Sequence, residues 1–160
     1  MKRVIAALAV VVVVASVLTG VLIWRLHGEP EPPEISAYSR GHATRVGPSL
    51  NCDVLNPATC QPGYDEGELP VTERHPVQLS VPAAVARAPW ALVLVYDDPV
   101  DTTLRRYRPD TRLAVTIPTV DPQRGRLRQI VVQLRTFVQD QAGELIDVPH
   151  KEWSVRTVWP

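Results

Sequence analysis

The chain has 160 residues, with 17 Lys plus Arg balancing 17 Asp plus Glu and an apolar share of 45%. Beyond an N-terminal apolar run this leaves about 125 residues, enough for one hydrophobic core and too few for a comfortable second one. Lys2, Arg3 and Arg25 supply three of the basic side chains, so the remainder is slightly acidic and has no basic footprint for nucleic acid.

Residues 4–24 contain no charged side chain; Lys2 and Arg3 precede them and Arg25 closes them. The run has the roughly 20 residues of helix needed to cross a hydrocarbon core. It is rich in Val, which disfavours a helix in water, but in lipid a single segment satisfies its backbone only as a helix. It is longer than a signal-peptide core and ends without a small-x-small cleavage site, although Ala15 and Gly20 keep cleavage open. No Cys lies at the end of the run, so a lipoprotein anchor is not expected. We therefore expect a cytoplasmic tail over residues 1–3, an uncleaved transmembrane signal anchor over 4–24 and an extracytoplasmic remainder, with Trp24 at headgroup level. Ser16 and Gly20 form a small-x-x-x-small pair on which a second membrane helix could pack. Residues 25–34, with three prolines and three glutamates after His27, read as a short extended stalk.

In the domain expected over residues 35–160, a first edge strand falls over 35–38 and a partner over 43–46, with a turn at Arg40, Gly41 and His42. Gly47 and Pro48 break the pattern. The two cysteines, Cys52 and Cys60, lie among the turn signals Asn56, Pro57, Pro62 and Gly63. In an oxidising compartment they suggest one disulfide closing a loop of about nine residues. A metal held with His42 or His75 is the rival, but the spacing is not that of a structural zinc site, and no C-x-x-C redox motif is present. Residues 65–73 read as a solvated acidic connection, 76–82 as a strand burying Val77, Leu79 and Val81, and 83–88 as a turn or one-turn helix.

Residues 89–98 form the strongest strand, almost continuously apolar and so expected to be central. Trp90 and Tyr96 share a face, either as core aromatics or as a ligand platform. Asp97, Asp98 and Asp101 invite calcium, but the twelve-residue loop with its Gly and terminal Glu is missing, and a solvated hairpin end is the plainer reading. Arg105, Arg106 and Arg108 read as a charged strand edge that discourages aggregation, with contact to a polyanion or headgroup as the minor alternative. Residues 111–118 alternate as a strand, 121–125 turn, and 127–139 form a long strand with Ile130, Val132 and Leu134 inward and a bulge bringing Phe137 and Val138 inward too. A turn at Gln141, Ala142 and Gly143 leads to two last strands, 145–148 and 153–158, the second with Trp153, Val155 and Thr157 on one side. Some seven alternating strands between Pro and Gly turns describe an all-β chain, an antiparallel β-sandwich preceded by one transmembrane helix.

No nucleophile elbow, zinc-protease helix or Gly-rich phosphate cradle is present. Of four histidines, His27 falls in the stalk and His42, His75 and His150 in expected loops. Neither enzymatic activity nor a metal or cofactor is expected.

One resemblance runs from residue 35 to the C-terminus. Its segments are Val46, Gly47 and Pro48; Cys52 and Asp53; Val77 through Pro82; Pro89 and Trp90 through Tyr96; Leu113 through Pro118; Val132, Gln133 and Leu134; and Trp153 through Thr157. In these the chain resembles an actinobacterial family of secreted or membrane-anchored proteins of unknown function, domain-of-unknown-function family 2771. The resemblance implies a mycobacterium-like cell envelope and an immunoglobulin-like fold, and carries no catalytic residue. The expected function is that of a non-enzymatic, membrane-anchored envelope protein acting through contacts with a membrane or envelope protein, as an accessory part of a membrane complex. The alternative is a carrier for an envelope lipid or small molecule, with Trp90, Tyr96 and Trp153 as cavity walls.

Overall fold

The computed structural model describes residues 2–26, 32–56, 59–139 and 142–160, with side chains of the N-terminal helix described from Val11 to Arg25. The chain divides into two compact units, Met1–Glu31 and Pro32–Pro160. In the first, helix α1 (Lys2–Leu26) runs 25 residues. Among the described residues no helix is long and apolar enough to cross a membrane. The Ser16 hydroxyl donates to the Val12 carbonyl and that of Thr19 to the Ala15 carbonyl, both at 2.8 Å, so these polar groups are satisfied within the helix. A Cβ on Gly20 would meet nothing within 4 Å. Of the stalk expected over residues 25–34, Arg25 and Leu26 are instead the last residues of α1, residues 27–31 lie outside the described residues, and Pro32, Pro33 and Glu34 belong to the second unit.

The second unit is mostly β-sheet. In chain order its strands are β1 (Ile35–Ser39), β2 (His42–Val46), β3 (Leu50–Cys52), β4 (Cys60–Pro62), β5 (Gly67–Pro70) and β6 (Val77–Ser80). A single helical turn, α2 (Ala83–Ala86), leads to β7 (Trp90–Val95), β8 (Thr103–Tyr107) and β9 (Ala114–Ile117). The small hairpin β10 (Val120–Asp121) and β11 (Gly125–Arg126) precedes the two longest strands, β12 (Gln129–Gln139) and β13 (Leu145–Val158). One sheet has the order β2-β1-β6-β9, the other β4-β3-β13-β12-β7-β8, with β5 also on β13. Both are antiparallel except where β5 runs parallel to β13 and places Leu69 beside Thr157.

The buried faces of the two sheets meet in one core. Ile35, Val77, Leu79 and Ile117 come from the first sheet, and Leu92, Leu94, Ile130, Val132, Trp153 and Val155 from the second. Each such side chain, fully withdrawn from water, contributes about 1.5–3 kcal/mol. The Trp153 indole N–H donates to the Pro33 carbonyl at 2.7 Å, tying the segment ahead of β1 to β13. Cys52 and Cys60 are register partners across β3 and β4 and form a disulfide.

Several expectations need correction. β1 is not an edge, since it lies between β2 and β6 with Ile35 and Ala37 buried. The acidic connection over 65–73 contains β5, and its Leu69 and Val71 are buried. The last two expected strands are one; His150 is extra between the pairs Leu134↔Lys151 and Arg135↔Pro149, a bulge that lets β13 continue past Pro149. The bulge is therefore on β13 and not on β12. β12 keeps its alternation beyond Leu134, which turns Phe137 outward and leaves it 70% exposed.

Candidate functional site

Trp90, Tyr96 and Trp153 all belong to the core cluster. Trp153 is wholly buried and lines none of the clefts described below, and burial, with the Asp121 charge behind it, raises the Tyr96 phenol above its ordinary value. Asp97, Asp98 and Asp101 do not converge. The Asp97 carboxylate accepts from the Arg126 backbone N–H at 2.8 Å and the Arg128 guanidinium at 2.6 Å, whereas Asp98 accepts from the Val100 N–H and caps the turn Pro99–Asp101. Among the described residues no group of three or more His, Cys, Asp or Glu could hold a metal ion. Arg105 and Arg106 lie on β8, the outer strand of its sheet.

A different feature draws the eye at one end of the second sheet. β7 pairs with β12 only over Gln129–Gln139's first half, from Gln129↔Val95 to Leu134↔Trp90. On the far side β3 pairs with β13 only at Lys151 and Glu152. Past these limits β12 and β13 continue as a two-stranded arm, from Arg135↔Pro149 to Gln139↔Leu145. Residues directly opposite in an antiparallel ladder share a face. Phe137 with Asp147 and Gln139 with Leu145 therefore lie on one face, and Val138 with Ile146 on the other. Phe137 and Leu145 are each 70% exposed and Ile146 is 44% exposed. Apolar side chains on both faces of a projecting ribbon are unusual for a surface with no partner.

At the root of the arm is a cleft of about 280 Å³ whose walls include Trp90, Tyr107, Arg106, Arg135, Phe137 and Asp147. The Trp90 and Tyr107 rings stack with centroids 4.3 Å apart. The Asp147 carboxylate accepts from Arg135 at 2.9 Å and from Arg106 at 3.1 Å, so two guanidiniums share one negative charge. Arg135 also donates to the Gln133 side chain and the Asp147 carbonyl, which fixes it along the arm. The Trp90 indole N–H is buried without a hydrogen-bond partner among the described residues, at a cost of about 1–3 kcal/mol unless something accepts from it.

A second, more polar groove of about 370 Å³ lies between the Thr72 to His75 turn, Arg40 and Trp159. Its Arg126 already pairs with Glu73 at 3.0 Å and sits over the Trp159 ring at 4.9 Å. Arg40 and Arg74 line it as well, but among the described residues it holds no buried donor without a partner, as the cleft does in Trp90. Sequence reasoning singled out Trp90 and Arg106 but not Phe137, Leu145 or Ile146 as site residues. The signal was available in the apolar residues on both sides of the turn at Gly143, Phe137 and Val138 before it and Leu145 and Ile146 after it, with Arg135 and Asp147 close by.

The family model described as protein of unknown function (DUF2771) matches residues 28–158. Uncharacterized proteins of Mycobacterium bovis and of two Mycobacterium tuberculosis strains are each 61% identical to the chain over 163 residues, covering 99% of it and the whole of each relative. No solved structure matches. The chain therefore belongs to the DUF2771 family.

Proposed function

We propose that this chain is a non-enzymatic, membrane-anchored protein of the cell envelope that works through protein–protein contacts, as an accessory part of a membrane complex. In this reading residues 4–24 cross the membrane with the N-terminus in the cytoplasm, and an immunoglobulin-like β-sandwich stands outside it. The charge-free run of the sequence supports the anchor, and the two sheets with a common core support the sandwich. Ser16 and Gly20 then offer a face for a neighbouring membrane helix.

The observation that carries the contact reading is the arm, whose exposed Phe137, Leu145 and Ile146 give a body of this size a surface worth covering. Crosslinking in intact cells followed by affinity purification tests it. A discrete protein adduct is expected, and recovery of the monomer alone at native abundance would contradict the proposal. Carriage of a lipid or small molecule is the other reading, and the cleft beside Trp90 is the feature that favours it.

A further inference from the structure

We infer that the sheet edge left open where β7 ends receives an extended polypeptide segment, which adds to β12 as a strand. This rests on the contact reading above and names its surface and its partner's chemistry. Over Arg135 to Gln139, β12 is paired to β13 alone, the ladder with β7 having stopped at Leu134. Alternate N–H and C=O groups on its other side therefore have no strand beside them among the described residues. A row of this kind is matched by another extended main chain, with alternate side chains providing selectivity. An amphiphile could fill an apolar cleft, but it has no row of amides to offer, and this decides for a polypeptide.

The side chains beside the edge specify what the segment carries. The exposed Phe137 ring, on the same face of the sheet as Arg106 and Arg135, gives one large apolar side chain a surface to pack on at the cleft of about 280 Å³, while Trp90 and Tyr107 pair with Leu134 on the opposite face. Arg106 and Arg135 divide the single charge of Asp147, so the cleft retains an excess positive charge and selects an acidic side chain. The Trp90 N–H, on the opposite face at the end of β7, is a further donor without an acceptor among the described residues. Side chains two apart on a strand share a face, so the segment should carry its large apolar and its acidic residue at i and i+2.

The test uses the full-length chain at native abundance in intact cells of its own host, with the photocrosslinking residue benzoylphenylalanine placed singly at position 137, 145 or 55. Leu55, 95% exposed and remote in sequence, serves as the control. The expected result is an adduct from position 137 that maps by mass spectrometry to one extended segment with the apolar and acidic pair, and none from position 55. Arg106→Gln should lower that yield about threefold, the size of a partly exposed charge pair, and Arg106→Lys should restore most of it. Adducts from 145 without any from 137 would overturn strand addition while leaving the contact reading in place. A lipid adduct, a second copy of the chain, or a helical segment at 137 would equally overturn it. The absence of adducts at both 137 and 145 would overturn both readings.

Discussion

Replacing Phe137 by Ser removes a ring from the surface, and the structure sets how little that should matter to folding. Phe137 is 70% exposed. Fully burying a side chain of this class contributes about 1.5–3 kcal/mol, so the remaining third supplies about 0.5–0.9 kcal/mol. Leu145→Ser should behave alike, since Leu145 is as exposed as Phe137. Ile130→Ala provides the contrast, because Ile130 is fully buried between the sheets and its truncation should cost about 2–5 kcal/mol. Urea unfolding of the full-length chain in lipid nanodiscs, followed by tryptophan fluorescence, measures all three. The arm variants should shift the midpoint slightly with no change in slope, and Ile130→Ala should shift it strongly. A loss at Phe137→Ser equal to that at Ile130→Ala would show that the arm is packed on the body, and the account of it as a surface for a partner would fail.

Other perturbations bear on the fold that presents the arm. Joint replacement of Cys52 and Cys60 by Ala should cost about 2.5 kcal/mol, the closure entropy of a nine-residue loop. Intact mass with and without reduction checks the bond itself, and two alkylatable thiols in the native protein would refute it. The Asp97 carboxyl is held below its ordinary 3.8 first by the Arg126 backbone N–H, against a smaller burial penalty, and further by Arg128. A depressed folded value means that this stabilisation is complete above about 3.8 and is lost as pH falls from there through the folded value. Asp97→Asn should therefore lower stability at neutral pH and flatten the acid limb of a thermal melt series; an unchanged acid limb would refute the assignment. Gly125 has φ +80 and a Cβ there would fall 2.5 Å from the Asp97 carboxylate, so Gly125→Ala should cost at least about 1–2 kcal/mol in the same unfolding assay. A neutral outcome would show that the β10–β11 turn is not held against Asp97.

Much of the scaffold could be read from residue order because its signals are local. Val77, Leu79 and Val81 alternate with polar neighbours, and the strand they mark is β6 with the same face buried. The apolar run beginning at Trp90 is an interior strand between β12 and β8, although it lies next to the edge where a central place was expected. The spacing of Cys52 and Cys60 already suited a closed loop, and the β3–β4 pairing places them opposite each other. β5 was not legible, because Gly67 to Pro70 has little apolar pattern of its own and becomes a strand by lying along β13, a partner about 88 residues away. Gly67 is suited to that place, where a Cβ would fall 2.2 Å from the Val46 side chain. The arm was misread for a different reason. The apolar character of Phe137 suggests an inward side chain, which only a bulge on β12 would produce. Unbroken alternation from Ile130 through Val132 and Leu134 to Thr136 points Phe137 outward, and the ladder follows that alternation. The Trp90 N–H and the charge shared between Arg106, Arg135 and Asp147 depend on side-chain packing between separate strands, which no spacing along the chain reveals.

The central claim is that the exposed apolar arm is covered by a partner in the cell. The most direct measurement compares the wild-type chain with the combined Phe137→Ser, Leu145→Ser and Ile146→Ser variant, both crosslinked in intact cells at native abundance and purified under denaturing conditions. The account expects one discrete adduct from the wild type that is lost from the variant while the variant's folding is retained. An adduct of equal yield from both chains, or monomer alone from the wild type, would contradict it.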